Sequence, residues 1–449
     1  MIRAFIVCVA VLFFACKTNP LDGLMIETRE SPLTSPATAV DLNPSADVVR
    51  IRLEAAPRTG SDSSPYLYAY NGINPGPTIR AKLGDTLEVE LINRMTVPTT
   101  IHWHGVHVPW EMDGVTWMRT PTQPGQTFIY RFELTQSGTF WYHPHFNTEH
   151  QVDGGLFGTL VVEDPAEPTV DEELVLVFDS TQEDRPPHGS HGHGKVDTEW
   201  RINSASTKDG PLEYQVEGGK IVRVRMINAS NAGFLALHWP GLRVIAGDQG
   251  LLAQMQRPKR VVLAPGDRVE ALLYITNQDF VIMTDDYSLN GGDTYRESKP
   301  LINVVVQNPQ TQTATVTWPF SEARPTSDPG HTDIVYAFAG SDRTGQWFIN
   351  GEQFPNITIE TIPLGQTRVI EVRNLSPTEH PFHLHGMDFE VLSVNGLPPE
   401  FRRIEDTITL KIRDRVRLLL HANNPGDWMT HCHILPHAGD GMMTILRVQ

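Results

Sequence analysis

What most limits the fold of this chain is a pattern it carries three times. Gly84-Asp85-Thr86-Leu87-Glu88-Val89-Glu90-Leu91-Ile92-Asn93 is a glycine-led turn, then a run of alternating apolar and charged residues, then a closing asparagine. Gly218-Gly219-Lys220-Ile221-Val222-Arg223-Val224-Arg225-Met226-Ile227-Asn228 repeats it, and so does Gly365-Gln366-Thr367-Arg368-Val369-Ile370-Glu371-Val372-Arg373-Asn374. Alternation with period two marks a strand with one buried face. Copies roughly 135 to 150 residues apart are too widely spaced for a solenoid of short repeats, so they predict three similar β domains. Two copies are preceded by matching segments, Arg201-Ile202-Asn203 and Trp347-Phe348-Ile349-Asn350-Gly351.

The rest of the chain agrees with an all-β reading. Its 35 Gly and 34 Pro punctuate short Val/Ile/Thr-rich runs, and no amphipathic helical stretch stands out. Polar, proline-containing connectors at Glu163 to Pro168 and between 308 and 330 divide it into domains at 46–165, 166–308 and 330–449. Residues 17–45, rich in Thr, Ser, Pro and Asn, read as a flexible tether.

Charge and cysteine use narrow the function. With 36 Lys+Arg against 53 Asp+Glu, the net charge of -17 argues against a nucleic-acid partner. Met1-Ile2-Arg3 followed by Ala4 to Ala15 has the charged start and short apolar core of a secretory signal over residues 1–16, which places the chain outside the cytoplasm, in a periplasm or the medium. Phe13-Phe14-Ala15-Cys16 resembles a bacterial lipoprotein cleavage box, although Phe14 fits it poorly, so a lipid anchor on Cys16 stays open. Cys8 and Cys16 fall in that segment. Cys432 is then the one cysteine of the globular part, and a disulfide framework is excluded.

The histidines carry the chemistry. His102-Trp103-His104, His143-Pro144-His145, His383-Leu384-His385 and His431-Cys432-His433 are i, i+2 pairs, whereas random placement of 18 His gives on the order of one. On a strand, i and i+2 share a face, so each pair offers two imidazoles to one place. Eight imidazoles suit three metal ions ligated three, three and two, the last keeping an open position. His380, Cys432, His437 and Met442 remain, the set of two imidazoles, a thiolate and a thioether that a blue-copper site uses. With Cys432 on a strand its side chain points opposite to His431 and His433, so one residue of backbone links two metal centres. Four coppers fit the four-electron reduction of dioxygen to water, fed by single electrons.

His102-Trp103-His104-Gly105, Trp141-Tyr142-His143-Pro144-His145, His380-Pro381-Phe382-His383-Leu384-His385-Gly386 and the terminal His-Cys-His run resemble, in order, the four copper motifs of the multicopper oxidases, the laccase and bilirubin oxidase group. The resemblance implies three consecutive cupredoxin-like Greek-key sandwiches and four copper ions. It makes His380, Cys432 and His437 the type 1 ligands, with Met442 axial and the potential correspondingly low. It gives His102 and His383 to type 2. His104, His143 and His433 go to one type 3 ion, and His145, His385 and His431 to the other. First and third domains then meet at the cluster, and the second is a spacer without ligands. The family often has a carboxylate feeding protons towards the cluster where this chain has Asp113, and Asp406 is read as an orienting partner for a ligand imidazole. Many bacterial relatives carry a glutamate directly after the last type 1 histidine, where this chain has Ala438, leaving proton delivery to Asp440 or to Asp113 alone.

The implied partners are dioxygen and a small reductant: a phenol, an aromatic amine, or a reduced metal ion, Cu(I) or Fe(II). A non-catalytic copper-binding or electron-transfer cupredoxin is the reading from another class; it needs only the type 1 set and leaves the four pairs unexplained. His107, His150, His238, His331 and His421 are surplus to the ligand count, and His188-Gly189-Ser190-His191-Gly192-His193 is either a solvated loop or a metal scavenger.

Overall fold

In a computed structural model, residues 32–43, 45–59, 64–181, 199–287, 297–311 and 315–449 are described. The signal-like segment with Cys8 and Cys16 and the loop around His188 to His193 lie outside the described residues. Almost all regular structure is strand, with two short α-helices, Thr148–Asp153 and Leu435–Gly439, and one 3-10 turn, Trp110–Met112, among the described residues.

Among the described residues the strands form six sheets that pair into three sandwiches. In the first, the sheet ordered Tyr68–Tyr70, Val48–Pro57, Thr86–Asn93, Thr127–Glu133 faces one ordered Gly76–Lys82, Gly158–Glu163, Gly138–His143, His102–His104. The second pairs a seven-stranded with a five-stranded sheet, and the third a six-stranded with a five-stranded one. Each sandwich closes over its own apolar core, as two half-buried sheets must.

The threefold sequence pattern has a threefold structural use. Thr86–Asn93, Ile221–Asn228 and Thr367–Asn374 each pair in parallel with the leading strand of their sandwich and antiparallel with another. The closing asparagines make the same buried clip. Asn93 Nδ2 donates to Val97 O and Thr122 O, Asn228 to Gly233 O and Leu263 O, and Asn374 to Thr378 O and Leu410 O. Their side-chain oxygens accept the backbone N–H two residues on, from Met95, Ser230 and Ser376. Each clip satisfies the polar backbone exactly where the chain leaves one sheet for the other, a place where unpaired groups are costly. The preceding asparagines Asn71, Asn203 and Asn350 also act alike. All sit at positive φ, and each side chain bonds both an N–H and a C=O of the leading strand.

One difference between the copies is informative. Thr86–Asn93 alternates buried and half-buried residues, but Ile221–Asn228 is buried throughout. Its Arg225 meets Thr139 of the first sandwich and pairs with Glu270 and Glu173, while Arg223 lies over the Trp318 ring and pairs with Glu270 and Glu167. Residues 32–43, read from composition as tether, instead run extended over the first two sandwiches. Leu33 is buried and donates to Glu213 O, Ser35 Oγ accepts from Val175 N, and Ala39 N donates to Thr78 O. Free backbone groups beside a sheet edge find partners there whatever the side-chain composition.

Candidate metal centre

The histidine motifs lie on neighbouring strands in two sheets. In the first sandwich His102 is directly opposite His143, and in the third His383 is opposite His431. His145 follows the first pair after Pro144, its N–H held by Thr100 Oγ1. His433 follows the strand Gly426–Cys432 and donates its N–H to Pro381 O. The two histidine-bearing edges face each other, so rings from the ends of the chain interleave. His102 stacks on His385, and His104 on His383, each with ring centroids 3.8 Å apart.

Ligand-capable atoms gather within 4.8 Å of one another in the groups His102/His104/His383, His104/His143/His433, His145/His385/His431 and His380/Cys432/His437, all buried. In most of the rings one nitrogen is engaged from outside. The Nδ1–H groups of His102 and His385 donate to the two oxygens of Asp113 at 3.0 and 2.8 Å, and those of His143 and His431 to the backbone carbonyls of Pro144 and Cys432. His383 Nδ1 donates to Asp406 O, and His104 Nε2 lies 3.2 Å from both Asp406 Oδ1 and Thr407 Oγ1. Holding one nitrogen fixes the tautomer and aims the other inward.

The inward nitrogens give the test of fit. His102 Nε2, His104 Nδ1, His143 Nε2, His383 Nε2 and both nitrogens of His433 are buried without a hydrogen-bond partner. His385 Nε2 and His431 Nε2 meet at 3.0 Å. Leaving one buried polar atom unpaired costs about 1–3 kcal/mol; so many aimed into one chamber fits lone pairs presented to cations. Charge state agrees. Burial, then the neighbouring imidazoles, holds His104, His143, His145, His385 and His433 well below the usual histidine range and pushes His431 down to about 3. The rings are neutral, the form that binds metal.

The thiolate site lies in the core of the third sandwich. His380 Nδ1 is 3.3 Å from both Cys432 Sγ and His437 Nδ1, and Sγ is 3.8 Å from His437 Nδ1. The short helix Leu435–Gly439, started by Pro436, returns His437 to the cysteine, and Met442 closes the loop with Cys432 N donating to Met442 O. Met442 is fully buried in the same core as Cys432. Burial pushes the Cys432 thiol up, so its proton leaves only when a cation takes its place. Ser376 Oγ meets His380 Nε2 at 2.6 Å, and Trp347 stacks on His437 at 3.8 Å. The outer nitrogen of His437 lies 3.6 Å from Asp342 on the hairpin between Ile334–Ser341 and Gln346–Ile349.

The surplus histidines stand elsewhere. His107 faces Asp388, His238 faces Asp285, His421 bonds Thr367, His150 packs on Tyr68, and His331 is exposed. Asp113 is fully buried between two imidazoles. Asp440 caps the short helix, its N–H donating to Pro436 O.

The second sandwich, read as a spacer, reaches the cluster. Arg268, fully buried, donates to Asp406 Oδ1 and Oδ2 at 2.8 and 2.5 Å. Burial alone would raise the Asp406 carboxyl, but the Arg268 charge and hydrogen bonds overcome this and hold it well below the usual carboxylate range. Gly266, at φ +92°, passes so close that a Cβ there would lie 3.0 Å from His104 Cε1 and 3.1 Å from His433 Cγ. Nothing in the linear pattern around Pro265-Gly266-Asp267-Arg268 beyond a turn signal separates these residues from dozens of others. Asp342 and Trp347 were equally invisible, since each meets His437 from a distant part of the sequence; Ser376 stands only four residues before His380, but a single serine there carries no signal of its own.

Sandwiches in series, with terminal members sharing a chamber of neutral imidazoles beside a buried thiol, define a metalloprotein of the cupredoxin class. Two family models described as multicopper oxidase match residues 54–167 and 324–449. A multicopper oxidase of Staphylococcus epidermidis is 30% identical over 418 residues, covering 84% of this chain and 83% of that one. A laccase of Thanatephorus cucumeris is 26% identical over 498 residues, covering 84% and 85%. Among solved structures, a Campylobacter jejuni multicopper oxidase described as a metallo-oxidase superposes with TM-score 0.80 at 25% identity, covering 93% of this chain and 94% of that one. The chain belongs to the multicopper oxidases, copper-dependent oxidoreductases.

Proposed function

We propose that this chain is a four-copper oxidase that takes electrons singly from a small reductant and delivers four to dioxygen, forming water. The convergence of unpaired inward nitrogens in the shared chamber carries this reading. In it, His380, Cys432 and His437, with Met442 axial, hold the type 1 ion. His102 and His383 hold type 2, and His104/His143/His433 and His145/His385/His431 hold the type 3 pair. Bound there, copper would supply one-electron chemistry at the thiolate and multi-electron chemistry at the cluster.

The chain's own groups divide the work. Cys432 is bonded through the backbone to His431 and His433, a covalent route between the centres. Asp113 holds the Nδ1–H groups of His102 and His385, which keeps both Nε2 atoms aimed inward, and its buried carboxylate stands beside the chamber as the group that can take up and deliver protons there. Asp406, fixed by Arg268, orients His104. Among the thiolate-site ligands His437 lies nearest the surface, flanked by Trp347 and Asp342.

Phenols and aromatic amines are the first substrate reading. The Asp342 carboxylate at the His437 edge favours donors that carry positive charge, so Cu(I) or Fe(II) oxidation is the second. Export, with or without lipid on Cys16, belongs to the same proposal. Copper per chain by elemental analysis, oxygen uptake with a phenol, cuprous or ferrous donor, and the water-to-peroxide ratio form the test. One copper per chain without oxygen uptake overturns it in favour of a non-catalytic cupredoxin.

A further inference from the structure

Beside the cluster lies a second group of oxidisable residues that the proposed reaction does not use. Trp141 is buried and stacks on His143 with centroids 4.2 Å apart; its ring is also 5.1 Å from His104. Trp141, Phe157 and Tyr66 belong to one apolar cluster where the first two sandwiches meet and Leu435 of the third joins them, with Phe157 edge-on to Tyr66 at 5.9 Å. The Tyr66 hydroxyl donates to Asp179 Oδ2 at 3.0 Å, and both residues are buried. Tyr66 nonetheless lies just under the surface, since its chain neighbours Pro65 and Leu67 are exposed.

A buried phenol gives up an electron readily only when a base takes its proton, because a phenol radical cation is too costly in an apolar setting. Tyr66 has that base. Two buried tyrosines of the neighbouring first-sandwich core do not: Tyr142 donates to the Pro77 carbonyl, and the Tyr70 hydroxyl has no hydrogen-bond partner. Burial raises the Asp179 carboxyl to about 6, which leaves it ionised at neutral pH and ready to accept a proton.

From this arrangement we infer that Trp141, Tyr66 and Asp179 form a reserve electron path that discharges the cluster when dioxygen has received fewer than four electrons. This rests on the oxidase reading above. Tyr66 loses one electron, which passes through the Trp141 indole to the partly reduced dioxygen, the oxidant of the step. Its phenolic proton moves to the Asp179 carboxylate, leaving a phenoxyl radical and a carboxylic acid. One electron from the external reductant, together with the proton that Asp179 returns, restores the pair. The path spares His143 and its neighbours from oxidation when reductant is scarce.

The experiment starts with copper-loaded protein of measured copper content, given less reductant than full turnover needs, mixed with oxygen and freeze-quenched for EPR. The expected result is a phenoxyl signal, lost in Tyr66→Phe and weakened in Asp179→Asn. Peptide mapping should show oxidised side chains around the cluster accumulating faster in Tyr66→Phe, while its oxygen uptake with saturating reductant stays that of wild type. A signal unchanged in Tyr66→Phe, or no radical in wild type despite full copper and oxygen uptake, overturns the inference. Missing copper or oxygen uptake is instead a failure of the oxidase reading. In that case photo-oxidation of the copper-free protein with a ruthenium sensitiser decides, and a radical that does not require Tyr66 and Asp179 overturns the pair. If Tyr66→Phe does not fold, Trp141→Phe serves: the oxygen-generated signal should vanish while the photo-generated one persists, and survival of the first refutes the path.

Discussion

Replacing Arg268 with methionine should damage this protein through a residue that touches no proposed ligand. The guanidinium makes two charge-assisted bonds to Asp406 and three more to the carbonyls of Gly266, Asp248 and Thr139, all buried. Breaking a buried ion pair from one side costs about 3–5 kcal/mol, and the three orphaned carbonyls place this case at the upper end. The consequence for pH has a definite sign. In wild type the Asp406 pKa is depressed, so its contribution to stability is present at neutral pH and lost only as pH falls below the ordinary carboxylate range. Without Arg268, burial pushes the same carboxyl up. The variant is then penalised at neutral pH and recovers relative to wild type as the pH drops through about 4, below which Asp406 is protonated in both the folded and the unfolded variant. Urea unfolding of the first cooperative transition at several pH values measures this, with copper content on the same samples. Adding Asp406→Leu should restore most of the lost stability, since an apolar pair often matches a buried ionic one. It should not restore copper content, because His104 Nε2 has then lost its carboxylate. A single variant with wild-type stability at pH 7, or a gap that widens on acidification, would refute the reasoning.

Three further outcomes are expected. Asp113→Asn should slow reoxidation of the reduced protein by oxygen, by 10²-fold or more on the scale of general acid–base effects (roughly 10²–10⁴), while stopped-flow reduction of the thiolate site stays at the wild-type rate; unchanged reoxidation would remove Asp113 from the proton route. Gly266→Ala places a methyl against His104 and His433 at a left-handed backbone position costing about 1–3 kcal/mol, so copper content should fall at the cluster while the thiolate site keeps its visible absorption. Asp342→Asn should raise KM for cationic donors and leave KM for a neutral phenol within about twofold, as loss of one partly exposed charge predicts; equal effects on both would mean that the carboxylate acts on His437 and not on the donor.

How far the residues alone reach can be seen from the asparagines and the histidines. Period-two alternation and the closing Asn93, Asn228 and Asn374 are local properties, and local geometry is what repeats in each sandwich: a strand with one face inward and an amide that clips the exit of the chain. The i, i+2 histidine pairs are local too: His102 and His104 share one strand face, and in the other three pairs the first histidine lies on a strand while the second stands just past its end. The resemblance to the multicopper oxidases could therefore be read from motifs that each span a few residues.

What the motifs could not specify is everything that acts across sandwiches. Arg268 reaches Asp406 over 138 positions of sequence, Asp113 joins His385 over 272, and Tyr66 meets Asp179 over 113. Such contacts depend on how whole sandwiches dock, a balance of buried area and paired charge summed over many residues that leaves no periodic trace. Composition likewise marked residues 32–43 as loose, whereas docking gave their backbone partners on two sandwiches. Strand-level sterics wrote the ligands into the sequence; only the packing of one domain on another decided what holds them in place.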